Sequence, residues 1–429
     1  MLNLLDAAIA AHTESAFAFL EDLVRAPSLV GSEQTALDVF ARELTAIGLE
    51  VQLLPFPAEP FSDPRGGVSP RPQDLYGTGN AAGRYQVVGR TPGDGPLTLL
   101  LNGHIDVVPA TDSILWRTAP FEPDRRDGRM YGRGTADMKG GFAIGMLALR
   151  ALKDVAPDLF SIRRLGFLAV IEEECTGNGA LNAASEHGVL ADEVVLLEPT
   201  DLGLMLGGVG VLWLEVEVTG HASHAESADS TSNAIDLGMR LVAALRAWSA
   251  DLSIAEPDPA LPDTDHPYNL NLGRITAGDW NSSAPSRATL GLRMGFPRSW
   301  DPARAERELR AFIQKVTDED SDFPAQPVVR ASGFRASGYL LDEEDPLVRD
   351  LRAAHLDAHG DEPRLFSLGS TTDARTYINH FGTPAVCFGA IAHDMHGVDE
   401  SVELQSIVDG ARTLARFLLA RFAETEATA

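Results

Sequence analysis

The sequence has little lysine, little cysteine and no long hydrophobic run. Lysine occurs three times in 429 residues, and 62 acidic side chains against 35 basic ones give a net charge of -27. A chain this acidic repels phosphate backbones, so we expect no nucleic-acid partner. Because no stretch of about 18 uncharged apolar residues is present, we also expect no transmembrane helix and no membrane partner.

The cysteine content bears on the compartment. Cys175 and Cys387 are too few for a disulfide framework, which favours a reducing, cytoplasmic location. The N-terminal segment carries Asp6 and Glu14 and no positive cluster, so it does not resemble a signal peptide. Hydrophobic residues make up 44% of the chain, and its length indicates two packed domains rather than one.

Strand-like and helix-like apolar segments alternate through the first half of the chain. Segments 97–108, 165–171 and 194–197 are typical of buried strands, and 140–152 has helical periodicity. This alternation predicts an α/β fold with a doubly wound, mostly parallel sheet.

The pattern changes in the middle of the chain. Half-exposed strands and two helices follow one another there in the order β-α-β-β-α-β, which is typical of a ferredoxin-like α+β module. The α/β pattern then returns near the C-terminus. We therefore predict a catalytic domain split into residues 1–207 and 332–429, with an inserted domain of residues 208–331.

Five separated segments each place metal-type ligands at the end of an apolar run. Each alone has an ordinary explanation, such as an N-cap aspartate or a solvated acidic run. Open α/β sheets, however, place their sites in loops at the carboxyl ends of parallel strands. Histidines and carboxylates meeting there suit a pair of divalent cations, zinc first and cobalt or manganese as substitutes. The ligand-type residues are His104 and Asp106, Asp137, Glu172 to Glu174, Glu198, and His393 and His396.

Several motifs occur in an order that resembles a known enzyme family. They are NGHIDVVP, YGRGTADMKGG, EECTGNGA, EPT, GHASHA, STTDAR and MHGVDESV, and the resemblance runs from about residue 12 to residue 420. The sequence is similar to the dinuclear-zinc metallopeptidases and deacylases that include acetylornithine deacetylase, succinyl-diaminopimelate desuccinylase, aminoacylase and glutamate carboxypeptidase. The resemblance implies two divalent metal ions per subunit and an inserted module that serves as a dimerisation or lid domain.

The resemblance also implies a ligand set at the matching positions. Asp137 would bridge the two metal ions. His104 and Glu198 would complete one metal site, and Glu174 and His396 would complete the other.

Further catalytic roles follow from the same resemblance. Glu173 would act as the general base on a water that bridges the metals. Asp106, two residues from His104 on a predicted strand and so on the same face, would orient that histidine. His224 would reach the neighbouring subunit's active site and stabilise the oxyanion, which implies a homodimer. His221 is expected to be structural, and His393 lies off the motif.

Substrate contacts are implied at Arg293 and Asn281, which match positions that bind the substrate's carboxylate, and at Gly369 and Ser370. The segment SLGSTTDAR departs from the version that many relatives carry, so the substrate subgroup stays open. We assign no role to Glu172, Asp373, Arg375 or Cys175.

The resemblance implies hydrolysis of the amide bond of an N-acyl amino acid, with acetylornithine-type deacetylation as the first prediction. A dipeptidase or carboxypeptidase that releases a C-terminal amino acid needs the same dinuclear site and stays open, as does carbamoyl-amino-acid hydrolysis. A non-catalytic scaffold is disfavoured, because no implied ligand and no implied base is missing from the sequence.

Overall fold

The computed structural model of the protein describes residues 1–71, 74–75, 83–93, 95–110, 113–162, 165–262 and 264–426. Within these ranges, no helix combines the length and the apolar character that crossing a membrane requires.

The elements alternate between strands and helices at both ends of the chain. The strands are β1 (Glu50–Pro55), β2 (Tyr85–Arg90), β3 (Leu97–His104), β4 (Asp124–Arg126), β5 (Arg129–Tyr131), β6 (Leu165–Val170), β7 (Ala191–Leu196), β8 (Leu204–Gly208), β9 (Gly210–Thr219), β10 (Ser223–His224), β11 (Leu270–Ala277), β12 (Ser283–Ala284), β13 (Arg287–Phe296), β14 (Val328–Ala336), β15 (Tyr339–Leu340), β16 (Leu365–Leu368), β17 (Ala385–Cys387), β18 (Ala392–His393) and β19 (Ser401–Glu403). The helices are α1 (Leu2–Arg25), α2 (Gln34–Ala46), α3 (Gly140–Val155), α4 (Leu159–Ile162), α5 (Asn178–Ser185), α6 (Ala234–Ala255), α7 (Pro302–Glu319), α8 (Pro346–His359), α9 (Ala374–Thr376) and α10 (Leu404–Glu426).

The large sheet is parallel in its middle. Its strands lie in the order β1-β2-β6-β3-β7-β17-β8-β15, with β16 beside β8. Strands β6, β3, β7 and β17 run parallel to one another. Antiparallel strands occupy both margins. The prediction of an α/β fold with a mostly parallel sheet is therefore confirmed.

The central strands are buried on both faces, as the continuous apolar run of β3 predicts. Leu99 and Leu101 pack into the core formed with helices α1, α2, α3, α8 and α10. Leu100, between them, packs into a second core on the opposite face, which includes residues of α5. This double burial leaves the strand ends as the places where polar side chains emerge.

The middle of the chain forms a separate antiparallel sheet with the strand order β11-β13-β9-β14. Helices α6 and α7 pack on it, and its core joins Leu241, Leu290 and Ile313. For the four strands of this sheet and its two helices, the predicted order β-α-β-β-α-β is confirmed, and the short strands β10 and β12 pair separately. The domain limits at residues 208 and 331 stay a prediction.

One local prediction was wrong. We expected the strand that carries His104 to continue through residues 105–108, but β3 ends at His104. The chain leaves the sheet there because it bonds to the segment after α1: Ser28 Oγ donates to the carbonyl of Ile105 at 2.6 Å, and the Val107 N–H donates to Ser28 O at 3.0 Å. Asp106 therefore lies outside the strand and does not share a strand face with His104.

Candidate metal centre

The predicted ligands meet at the carboxyl edge of the large sheet. His104 is the last residue of β3, the acids 172–174 follow β6, and Glu198 follows β7. These three strands are parallel neighbours, so the residues after them emerge side by side. His104 Nε2 lies 4.0 Å from Glu173 Oε2 and 3.9 Å from Glu198 Oε2. His396 reaches the same edge from the loop between β18 and β19.

Asp137 lies between the two histidines. Its Oδ1 is 3.0 Å from His104 Nε2, and its Oδ2 is 3.3 Å from His396 Nε2. His396 Nε2 is also 3.2 Å from Glu174 Oε2. Each oxygen of the Asp137 carboxylate therefore faces a different histidine. This is the arrangement expected of a ligand shared by two metal ions.

The turn that carries Asp137 is held by a residue that the sequence analysis missed. Glu400 is buried, and its Oε1 accepts the backbone N–H groups of Ala136 and Asp137, both at 3.0 Å. Its other oxygen binds the buried guanidinium of Arg133. Arg133 belongs to the motif YGRGTADMKGG and Glu400 to the motif MHGVDESV. The opposite charges in these two motifs were the sequence feature from which this ion pair could have been predicted.

Asp106 touches His104 through its backbone. His104 Nδ1 is 2.8 Å from the carbonyl oxygen of Asp106 and 3.8 Å from its carboxylate. The carboxylate instead accepts the backbone N–H groups of Glu173 and Glu174, at 3.3 and 3.2 Å. Asp106 therefore connects the ring of His104 to the backbone of the acidic turn.

The electrostatics of the cluster show an excess of buried acid. Burial raises the pKa of Glu198 to about 8 and raises that of Glu173 well above its ordinary value. Hydrogen bonds to Asp137 and Glu174 raise the pKa of His396 to about 11. Burial lowers the pKa of His104, but the Glu198 and Asp137 carboxylates outweigh it and the net shift is upward.

The side chains at this edge fit divalent cations. Atoms of His104, Asp137 and Glu174 lie close enough together to bind one ion. Glu174 Oε1 is buried and has no hydrogen-bond partner among the described residues, so it has a free lone pair for a cation. Imidazole and carboxylate together are donors that zinc and related dications accept.

The predicted substrate-binding residues fall into two groups. Arg293 on β13 donates from Nη2 to Gly369 O and Ser370 Oγ, both at 3.2 Å, so the structure brings these three residues together. His224 and Asn281 lie elsewhere on the middle module. His224 pairs with Ser283 across β10 and β12, two residues beyond Asn281.

His224 is exposed, and its Nδ1 accepts the backbone N–H of Glu226 at 3.2 Å. In the described part of the chain, no hydrogen bond or ion pair joins it to the ligand cluster. Its predicted role in a neighbouring subunit stays a prediction.

Three residues to which the sequence analysis gave no role in the site have distinct surroundings. Asp373 is 1% exposed, both its oxygens lack hydrogen-bond partners among the described residues, and its nearest cation is Arg375 Nη1 at 3.9 Å. His393 pairs with Glu403 at 2.8 Å, away from the ligands. Burial raises the pKa of the Cys175 thiol well above its ordinary value, so this thiol stays protonated.

Comparison with known proteins gives relatives along nearly the whole chain. The family described as Peptidase family M20/M25/M40 matches residues 100–420. A succinyl-diaminopimelate desuccinylase from Methylobacterium nodulans is 31% identical over 408 residues, which cover 92% of this chain and 93% of the relative. Another, from a Methylobacterium species, is 32% identical over 424 residues, covering 96% and 97%.

Solved structures share the fold. Human carnosine dipeptidase 1 aligns with a TM-score of 0.75 at 16% identity, covering 98% of this chain and 99% of that one. An M20 family metallo-carboxypeptidase from Sulfolobus solfataricus aligns with a TM-score of 0.70 at 17% identity, covering 94% and 98%. A dinuclear metal binding peptidase from Bacillus subtilis aligns with a TM-score of 0.59 at 14% identity, covering 96% and 99%.

The raised pKa values predict that metal binding releases protons. At pH 7 the metal-free protein holds protons on Glu198, with its pKa of about 8, and on His396, with its pKa of about 11. A metal competes with those protons, so zinc affinity should rise as pH increases from 6 towards 9. Calorimetric titration with zinc, in two buffers of different ionisation enthalpy, measures the protons released.

A matched pair of variants checks this assignment. His396→Gln should release about one proton fewer than wild type, because it removes a protonated ligand. His393→Gln should leave the number unchanged, because His393 pairs with Glu403 outside the cluster. Binding heats independent of the buffer at pH 7 would contradict the prediction.

Proposed function

The chain belongs to peptidase family M20/M25/M40, and from this membership we propose that it is a dinuclear metal-dependent enzyme that removes the acyl group from an N-acyl amino acid. Membership makes it a metal-dependent hydrolase of amide bonds and bears out the resemblance drawn from its motifs. The observation that carries the proposal is the convergence of two histidines and four carboxylates on one edge of the sheet.

The geometry around Asp137 supports the proposed ligand roles. We propose that two divalent ions, with zinc as the proposed metal, would share Asp137 as a ligand, and that His104 and Glu198 would hold one ion and Glu174 and His396 the other. When bound, two such ions polarise the scissile carbonyl and lower the pKa of a bound water. The residues themselves contribute a fixed arrangement in which His104, Glu173 and Glu198 are buried.

Glu173 is the proposed proton carrier. Its carboxylate stands beside His104 at 4.0 Å, and its backbone is anchored by the Asp106 carboxylate. In this position Glu173 takes a proton from the attacking water and delivers it to the departing amine. Burial favours the protonated form of Glu173 and His104 favours the ionised form, and the net shift of the Glu173 pKa is upward in the metal-free protein.

The proposed binding site for the carboxylate of the amino acid consists of Arg293, Gly369 and Ser370. The guanidinium offers planar donors that suit a carboxylate, and the hydroxyl of Ser370 adds one more. We propose that His224 and Asn281 complete the active site of a second subunit, which makes the enzyme a homodimer. The limits of the inserted domain, residues 208–331, and the cytoplasmic location are part of the same proposal.

Two acyl groups compete within this class. The relatives at 31% and 32% identity are named succinyl-diaminopimelate desuccinylases, which supports a succinyl group. The acetylornithine-type reaction rests on the shared motifs alone. We therefore place N-succinyl amino acids ahead of N-acetylornithine as substrates.

A substrate panel tests the proposal. Purified enzyme with added zinc or cobalt is assayed on N-succinyl-diaminopimelate, N-acetylornithine, N-acetylmethionine, a carbamoyl amino acid and a dipeptide. Preferred release of succinate is expected. Preferred cleavage of the dipeptide would replace the deacylase with a peptidase, and cleavage of none of them, despite two bound metals, would overturn the proposed function.

Glu173→Ala should separate catalysis from metal binding. The variant loses a proton carrier and no ligand, so kcat should fall by about 10²–10⁴-fold while the metal content stays at the wild-type value. Glu174→Ala, the neighbouring substitution, should lower the metal content. Metal analysis and steady-state kinetics measure both, and normal turnover in Glu173→Ala would refute the base assignment.

His224→Ala should lower kcat by about 10²–10³-fold if this residue donates to the oxyanion, whereas His221→Ala should not. Subunit mixing tests whether it acts across the dimer. Equal mixtures of inactive His224→Ala and Glu173→Ala chains should regain about a quarter of wild-type activity, because half of the dimers are mixed and each has one complete site. Absence of recovery, with exchange verified by mass, would place His224 within its own subunit or outside catalysis.

A further inference from the structure

A buried arginine joins two buried carboxylates behind the proposed metal centre. The side chains of Arg84, Glu33 and Glu172 are 3%, 1% and 2% exposed. Arg84 Nη1 donates to Glu172 Oε1, and Nη2 donates to Glu33 Oε1, both at 2.5 Å. Burying three charges is costly, and a hydrophobic replacement is often as stable, so the network calls for a reason other than stability.

Glu172 begins the turn that carries Glu173 and Glu174, and it is tied to that turn twice. Its carbonyl accepts the N–H groups of Thr176 and Gly177, at 3.1 and 2.7 Å. Its Oε2 accepts the Thr176 hydroxyl at 2.8 Å. Glu172 also adopts a left-handed φ of 63°, which is unfavourable for a residue with a side chain. These contacts hold the turn in a conformation that it would otherwise leave.

Arg84 holds the Glu172 side chain, on the side of the turn that lies away from the metal ligands. Burial lowers the pKa of the guanidinium, but the two carboxylates outweigh it and keep the cation charged. Its position over the Phe56 ring, at 5.1 Å, restricts it further. The other side of the turn is fixed by Asp106, which accepts the N–H groups of Glu173 and Glu174. The base and the ligand therefore sit on a backbone anchored from two sides.

We infer that Glu172, held by Arg84, is a positioning residue that sets the placement of Glu173 and Glu174. The inference rests on the proposed function, since it assumes that these two residues are the base and a metal ligand. Displacement of the turn by a fraction of an ångström would misplace both groups. Removing such a supporting contact typically costs 10–100-fold in metal affinity or activity.

Glu33 provides a matched control. It binds the same guanidinium and is equally buried, but its other contact is the N–H of Gly31, before α2. Glu172→Gln and Glu33→Gln each remove one carboxylate and leave Arg84 paired with the other. The two variants therefore remove the same amount of negative charge from the buried network. They differ in that only Glu172→Gln changes a side chain bonded to the turn that carries Glu173 and Glu174.

The experiment compares the two variants in thermal unfolding, zinc affinity by chelator competition, and steady-state kinetics. Glu172→Gln should bind zinc about 10–100-fold more weakly or lose kcat by that factor, with KM nearly unchanged. Glu33→Gln should keep zinc affinity and kcat within about twofold of wild type, even if its unfolding temperature falls as much as that of Glu172→Gln. Glu172→Asp, which keeps a carboxylate for Arg84, should recover part of the loss.

Three results decide the matter. Wild-type zinc affinity and kcat in Glu172→Gln would overturn the inference, and so would equal losses in Glu33→Gln, which would make the network merely structural. Zinc affinity is measured without substrate, so a failure of the proposed function leaves this test intact. If wild type cleaves no substrate but Glu172→Gln alone loses zinc affinity, the proposed function fails and the positioning of the metal ligand stands.

Discussion

Concentrated buried negative charge at one edge of the large sheet is the constraint on which the rest of this structure depends. Three parallel strands end side by side, and the residues that follow them include Asp106, Glu173 and Glu198. Carboxylates out of water repel one another and favour protonation, as the raised pKa values of Glu173 and Glu198 show. Such a cluster persists only where cations compensate it, and two histidines with bound dications are the compensation that this donor set suits.

Around that cluster the protein uses fixed charges to hold the backbone. Glu400 with Arg133 supports the turn that carries Asp137, and Glu172 with Arg84 supports the turn after β6. Arginine suits both places because its planar guanidinium keeps its charge when buried and binds several acceptors at once. The candidate site therefore has two layers of charge, an inner one of metal-type ligands and an outer one whose charges pair within the protein.

The structure brings together the residues to which the motifs gave ligand roles, and those roles stay a proposal. For His104, Glu174 and Glu198 the meeting place follows from alternating buried strands and helices, which predict where parallel strand ends converge, whereas Asp137 and His396 reach it from loops. The outer layer was missed. Arg84 and Glu33 stand in segments without a motif, and only the contacts of Arg84 with Glu33 and Glu172 reveal them. Asp106 was expected to act through its carboxylate, yet its carbonyl faces the histidine.

The amino-acid sequence by itself determined the fold class, the buried central strands and the chemical types of the ligands, because apolar periodicity and residue type are local properties of the chain. Tertiary structure alone decided which charges pair in the interior. Arg84 is 51 residues from Glu33 and 88 from Glu172, so nothing local to it specifies either partner. The cost of leaving a buried charge uncompensated selects those pairs, and that cost exists only once the surrounding elements have packed and excluded water.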